Sequence, residues 1–390
     1  MIEIQLWWLI ILPVFFGLGW LAARIDIKHV LAETRSLPAQ YFQGLNHLLN
    51  GDTNRAVEVY VDIAKLHAET SELQFTLGHL FRRRGELERA IRMHQRLLDR
   101  KDLSDNHRQQ ATLELAIDFM KAGLYDRAED LLHQLADTNF ARQARRELLA
   151  IYQQEHEWKK AIELAQQLRD ESHGYQHEIA HFHCELAAQA MLHARHEEVS
   201  RELEAALQAN RQCARARVML GEHALAQQQH EQAITEWGLI EKQDVLYLAL
   251  VARHLLAAFD AVGKTAEGER YLQGLLQQHP DLDVLDVLYE RILARSGAEA
   301  VSAFVRERLR EHPTMPGLRK VLEAYLLQAP SEQQPDLEII VRLIHEENRE
   351  NTVYYCGECG FRTRQYFWHC PACNAWESYP PVRGQRRLGH

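Results

Sequence analysis

Leu77-Gly78-His79-Leu80-Phe81-Arg82-Arg83-Arg84-Gly85, followed by Ala90, His94 and Leu97, is the stretch that decides how the chain folds. Gly78 and Ala90 stand twelve positions apart, with large apolar residues in the interval. Small side chains at two such places let a pair of antiparallel helices approach closely, while the bulky ones fill the groove between them. Outward from this copy the spacing returns: Gly44 with Ala56, Ala116 with Ala128, Leu149 with Ala161, Ala187 with Val199, and Gly221 with Ala233. The unit recurs about every 34 residues, stretching to 38 where the turns around Lys101 to Asn106 and His173 to Gln176 lengthen. Later copies blur, although Gly263, Gly268, Leu272 and Pro280 keep the register and Pro313 follows 33 positions after Pro280. An unrelated helical bundle has no reason to hold that interval.

A helix-turn-helix of this length and pattern is the tetratricopeptide repeat (TPR). The expected fold is therefore an all-α TPR superhelical solenoid of eight or nine repeats across residues 37–347. Val199, in place of the usual alanine, leaves the packing of its own repeat open. In such arrays the first helix of each pair lines an inner groove that takes protein segments. That face would carry Phe75, His79, Arg82 and Arg83 in the clearest copy, and Leu113, Ile117, Met120 and Lys121 in the next. Arg82 to Arg84 read equally well as an ordinary solvated helix end.

Behind the repeats, Cys356, Cys359, Cys370 and Cys373 form two CxxC pairs with a ten-residue spacer, against only two other cysteines, Cys184 and Cys213. Four thiolates so arranged close a tetrahedral metal site. Gly360 and Asn374, each just after a second cysteine, tolerate the positive φ of a metal knuckle. Sulfur ligation of this kind accepts zinc or iron. Tyr354, Tyr355, Phe361, Tyr366, Phe367, Trp368 and Trp376 crowd a segment too short to build its own core. They would cover the site and dock it on the last repeats, or else present a surface to a partner.

At the other end, Ile4 to Ala23 contains Gln5 as its only strongly polar residue, with Trp7, Trp8 and Trp20 near the two ends. Twenty helical residues span roughly 30 Å, the hydrocarbon thickness of a bilayer. Pro13, Gly17 and Gly19 suit a transmembrane helix better than a soluble one. The acidic start, Met1-Ile2-Glu3, and the long apolar run argue against a cleaved signal. Residues 1–23 are thus expected to anchor the chain and 24–36 to link it to the repeats. Arg24, Lys28 and Arg35 follow the span, which places the body in the cytoplasm and the N-terminus outside. Reducing cytoplasm also suits free thiolates. A formal net charge of −10 and a pI near 6.1 argue against a nucleic-acid-binding body. Arg362, Arg364, Arg383, Arg386 and Arg387 give the tail a local basic cast, but a membrane anchor opposes a nucleic-acid ribbon.

Two strings imitate catalytic motifs. His177-Glu178-Ile179-Ala180-His181 matches HExxH, whose histidines sit one helical turn apart on one metal. It opens a repeat, however, and only Glu197 and Glu198 stand as candidate third ligands. Ala258 to Thr265 loosely resembles a phosphate loop, yet the residues before it read as helix and Gly263 falls at a helix-pair turn. No catalytic residue is assigned.

Anchor, repeats and knuckle together resemble the LapB (YciM) family, lipopolysaccharide assembly protein B. Local matches are Leu80 to Glu86, Ala122 to Asp130, Glu178 to Phe182 with Cys184 to Ala187, His312 to Met315 and Trp368 to Pro371. The resemblance implies an inner-membrane protein with a cytoplasmic TPR body and a rubredoxin-type domain over 352–384. In that domain Cys356, Cys359, Cys370 and Cys373 would hold one metal ion, iron being favoured over zinc. It implies a non-enzymatic adaptor that works with the membrane protease FtsH to degrade the deacetylase LpxC. Links to the regulator PbgA (YejM) and to lipopolysaccharide assembly proteins are also implied. A membrane-tethered, rubredoxin-like electron carrier is the alternative.

Overall fold

Gly85, Gly123, His156, Ala194, Gln228, Gly263 and Gly297 all take positive φ, and successive members stand 38, 33, 38, 34, 35 and 34 positions apart. The first five fall seven positions beyond Gly78, Ala116, Leu149, Ala187 and Gly221, the small or apolar residues of the repeat register. At these turns the helix ends in a left-handed residue, and the next N–H donates back to the carbonyl five positions earlier: Glu86 to Phe81 at 2.9 Å, Leu124 to Phe119 at 2.9 Å, Arg195 to Ala190 at 3.0 Å, Gln229 to Ala224 at 2.9 Å and Lys264 to Phe259 at 2.8 Å. The bond satisfies a carbonyl that the ending helix would leave unpaired.

The computed structural model describes residues 71–168, 174–347 and 353–383, with part of 43–60. They fall into two compact units, Met1–Gln154 and Glu155–His390. No helix among the described residues is long and apolar enough to cross a membrane. The anchor expected over residues 1–23 and the linker after it lie outside the described residues.

In the first unit α1 (Ser71–Arg83) pairs with α2 (Leu87–Leu98), and α3 (Asp105–Lys121) pairs with α4 (Tyr125–His133), followed by α5 (Ala141–Gln154). Gly78 is where α1 and α2 touch: a Cβ there would lie 2.3 Å from His94 Nε2. Ala56, Tyr60, Leu77, Phe81 and Ala90 are buried in one cluster around this contact.

The second unit carries α6 (Trp158–Gln167), α7 (Gln176–Leu192), α8 (His196–Ala209), α9 (Ala214–Ala226) and α10 (His230–Gly238). A short helical turn and a 3₁₀ turn, Val245–Tyr247, lead into α11 (Leu248–Ala261), α12 (Thr265–Gln278), α13 (Leu285–Glu311), α14 (Met315–Leu326) and α15 (Gln334–Glu347). Val199 is fully buried against Cys184, Ala187 and Leu203, so the departure from alanine is absorbed by the repeat. Gly221 repeats the close approach of Gly78, since a Cβ there would meet the Trp237 indole at 2.2 Å; that indole N–H donates to the Val218 carbonyl at 3.1 Å. The phosphate-loop look-alike is the turn between α11 and α12, with Gly263 at φ +73. In the blurred region, Gly297 interrupts α13 at φ +81, and the two halves pack Tyr289, Ile292, Val301 and Val305 against Val321 and Ala324 of α14. A two-stranded antiparallel ribbon, β1 (Tyr354–Tyr355) with β2 (Arg362–Thr363), opens the knuckle.

Candidate metal centre

Cys356 and Cys370 begin two turns that repeat each other bond for bond. In the first, Cys356 N–H donates to the Phe361 carbonyl at 3.0 Å and Gly360 N–H to that of Cys356 at 2.9 Å; in the second, Cys370 N–H donates to Ala375 and Asn374 N–H to Cys370, each at 2.9 Å. Gly360 and Asn374 close the turns at φ +74° and +59°, the left-handed conformations their residue types permit. Each turn presents two sulfurs inward.

Cys356 Sγ stands 3.7 Å from Cys373 Sγ, Cys359 Sγ 3.7 Å from Cys370 Sγ, and all four sulfurs lie within 4.8 Å of one another. Thiolates bonded at about 2.3 Å to one tetrahedral ion would be about 3.8 Å apart, so the set fits. Cys356 and Cys370 are buried, whereas Cys359 and Cys373 are exposed. Two hydroxyls lie at the sulfurs: that of Tyr379 is 3.4 Å from Cys370 Sγ, and Ser378 Oγ accepts from Cys356 Sγ at 3.3 Å. Burial pushes the Cys370 thiol up, but the Tyr379 hydroxyl and the Cys373 and Ala372 amides outweigh it and bring the group down to about 6. Burial and the neighbouring sulfurs push Cys373 up to about 12. An ion would relieve this uneven sharing of charge by taking all four as thiolates. The arrangement is a four-cysteine, rubredoxin-type metal site.

The knuckle is seated on the helices of its own unit. Trp368 stacks on Tyr247, with centroids 5.2 Å apart and planes 13° from parallel, and Trp376 stacks on His181 of α7 at 5.0 Å and 16°. Trp158 and Phe182 meet Trp376 edge-on at 6.1 and 5.9 Å. Arg215 of α9 lies 5.9 Å from the Trp368 ring centroid and 5.8 Å from that of Trp376, and donates to Glu185 at 2.8 Å. Arg383 grips Asp283 with two hydrogen bonds, at 2.5 and 2.8 Å, and reaches Asp286 at 3.2 Å. The aromatics thus dock the domain, but on helices around Trp158, His181 and Tyr247 rather than on the last repeats. The tryptophans find flat partners there.

Chains from other organisms align with this one almost end to end. It is 35% identical over 379 residues, 96% of this chain and 97% of the other, to lipopolysaccharide assembly protein B of Escherichia coli strain K12. The chain belongs to the lipopolysaccharide assembly protein B family. A second relative of that name, from Haemophilus influenzae, is 29% identical over 392 residues, covering 96% of this chain and 98% of its own. The rubredoxin metal binding domain model matches residues 354–380, and the tetratricopeptide repeat model matches 200–243. Among solved structures, the C-terminal part of a TPR protein from Cytophaga hutchinsonii matches 66% of this chain and 95% of its own at 11% identity, with a TM-score of 0.40, too loose to carry an argument.

The groove residues expected in this family member separate into two groups. Phe75 and Leu113 are buried, 5% and 1% exposed, Phe75 packing on Leu97, Leu103 and Ala111. They belong to the core between helices and not to an open groove face. Ile117 and Met120 are half-buried, and Arg83 and Lys121 are exposed. Arg82 pairs with Glu114 and, at 3.0 Å, with Asp118, while His79 reaches Glu114 at 2.9 Å. Asp118 in turn meets the buried His94 at 2.6 Å.

Elsewhere the sequence pointed to the wrong carboxylates. Glu198 pairs with Arg195 at 2.6 Å and Arg201 at 3.9 Å, whereas the carboxylate facing His177 and His181 is that of Glu377, from the knuckle. Tyr379, Tyr247 and Arg215 were also missed, and only the aromatic crowding hinted at them. Of the basic tail residues, Arg383 is taken up internally and Arg386 and Arg387 lie outside the described residues.

Proposed function

We propose that the chain is a membrane-anchored cytoplasmic adaptor of the inner membrane that promotes degradation of LpxC by FtsH and so restrains lipopolysaccharide synthesis. The full-length relationship to lipopolysaccharide assembly protein B carries this reading. The parts support it physically. Stacked helix pairs offer surface for protein segments, and His79, Arg82, Arg83, Ile117, Met120 and Lys121 would be the candidate partner residues. An anchor over residues 1–23 would hold a bound client beside a membrane protease, where raised effective concentration lets a modest affinity suffice. Cys356, Cys359, Cys370 and Cys373 would ligate the ion, with iron or zinc fitting the sulfurs alike. PbgA (YejM) and lipopolysaccharide assembly proteins are the further partners of this reading.

Deleting residues 1–23, or Cys359→Ser, is expected to lengthen the lifetime of LpxC in cells that carry only the altered chain. Unchanged turnover in both variants would overturn the reading. The exposed edge formed by Cys359 and Cys373 favours a second function, electron exchange through a rubredoxin-like iron. A zinc-loaded chain that still drives LpxC turnover would remove that alternative.

A further inference from the structure

His177 and His181 lie one turn apart on α7, and Glu377 comes from the knuckle to meet them both. Glu377 Oε2 is 3.5 Å from His177 Nδ1 and 3.5 Å from His181 Nε2, and the three donor atoms lie within 4.8 Å of one another. We propose that these three side chains form a second divalent-cation site, of the zinc class, that clips the knuckle to α7.

The spacing is the first support. Where a buried or half-buried histidine of this chain hydrogen-bonds a carboxylate directly, the distance is short, 2.6 Å from His94 to Asp118 and 2.8 Å from His183 to Glu202, and the longer 3.4 Å contact of His133 with Glu129 lies on the exposed surface. Nitrogen and oxygen ligands bonded at about 2.0–2.1 Å to a tetrahedral ion stand about 3.4 Å apart. The 3.5 Å separations match the second geometry and not the first.

His181 supplies an independent observation. Its side chain is wholly buried, Nδ1 has no hydrogen-bond partner, and Nε2 meets the Glu377 carboxylate only at 3.5 Å. Buried polar atoms rarely remain so. Stacking on Trp376 fixes the ring plane, and Nε2 faces Glu377.

Glu377 is held for the purpose. Its backbone sits at φ +51, a conformation costly for a residue with a side chain, and its N–H donates to the Trp368 carbonyl at 2.7 Å. The Tyr247 hydroxyl helps to hold the carboxylate in its ionised form, the outer-shell support that metal-ligating carboxylates commonly receive. Arg215, the nearby cation, is engaged by Glu185. Two imidazoles and one carboxylate select zinc-like ions over magnesium or calcium, which take oxygen sets. His177 is 41% exposed, so water can complete the fourth position.

The site stands apart from the adaptor reading and uses the four-cysteine centre only as an internal count. The test is made on the full chain, purified in detergent, stripped of metal and reloaded with zinc, with metal counted per chain by mass spectrometry. Two zinc ions are expected in the wild type and one in His177→Asn and in Glu377→Gln. Affinity at the lost site should fall by more than the ~10–100-fold that removal of an outer-shell partner causes. Cobalt provides the folding control: both variants should keep the thiolate charge-transfer absorption of the cysteine site and lose only the additional bands without sulfur character. One zinc per chain in the wild type, or two in either variant, would overturn the proposal.

Discussion

The imidazole of His181 lies flat against the indole of Trp376, centroids 5.0 Å apart and planes 16° from parallel, joining a repeat helix to the metal knuckle in one buried stack. Trp376 also meets Trp158, Phe182 and His369. Trp376→Ala is expected to remove about 3–5 kcal/mol from this junction, the usual effect of emptying a large aromatic site. Hydrogen exchange along α7 should rise while the chain keeps its cysteine-bound metal. Unchanged exchange would show that the stack contributes little to docking.

Metal removal should act on the knuckle first. Small sulfur-ligated sites draw roughly 10–16 kcal/mol of apparent folding energy from their ion. A strong chelator is therefore expected to shift the fluorescence of Trp368 and Trp376 and to expose Tyr247 and His181 to exchange. Helical circular dichroism should change little, because the repeat cores around Leu77 and Ala187 are built without the knuckle and only the one around Leu248 takes in Tyr366 and Trp368. A large loss of helix on chelation would contradict that division.

Gly221 and Ala194 offer opposite tests of the repeat geometry. Gly221→Ala would set a Cβ 2.2 Å from the Trp237 indole and should destabilise the chain by about 1–3 kcal/mol through overpacking. Ala194 holds φ +52 where a left-handed residue costs roughly 1–2 kcal/mol, partly offset by the chain entropy of glycine. Ala194→Gly should therefore raise stability by about 0.5–1 kcal/mol in chemical denaturation. A loss of stability in that variant would place the strain elsewhere.

Acid sensitivity should trace in part to Glu114. Burial pushes its carboxyl up, but hydrogen bonds from His79 and Arg82 outweigh burial and bring it down to about 2 from 4.5. A depressed folded value means that its stabilisation is complete above pH 4.5 and is lost as the pH falls toward 2. Between pH 5 and pH 3 the wild type should lose about 1–2 kcal/mol more than Glu114→Gln in denaturant titrations. Equal losses would show that the His79 and Arg82 pairing is not maintained in solution.

The repeat period was legible because Gly78, Ala116, Ala187 and Gly221 mark the helix contacts with small side chains. The turns at His156, Ala194 and Gln228 were not, since no glycine signals their positive φ. The cysteine spacing disclosed the metal centre, and Gly360 and Asn374 disclosed its turns. Glu377 escaped because its partners His177 and His181 are remote in sequence, and only the folded chain brings them together. Phe75 and Leu113 were misplaced for a different reason. Helical periodicity says that a face is apolar, but it does not distinguish an open groove from the core that neighbouring helices share.

The most direct test of the adaptor mechanism is the rate of LpxC degradation by FtsH in lipid vesicles, with and without the full-length chain in the same membrane. The expected result is faster degradation with the chain present, and loss of that gain when Cys370→Ser or chelation empties the knuckle. Equal rates with and without the chain would contradict it.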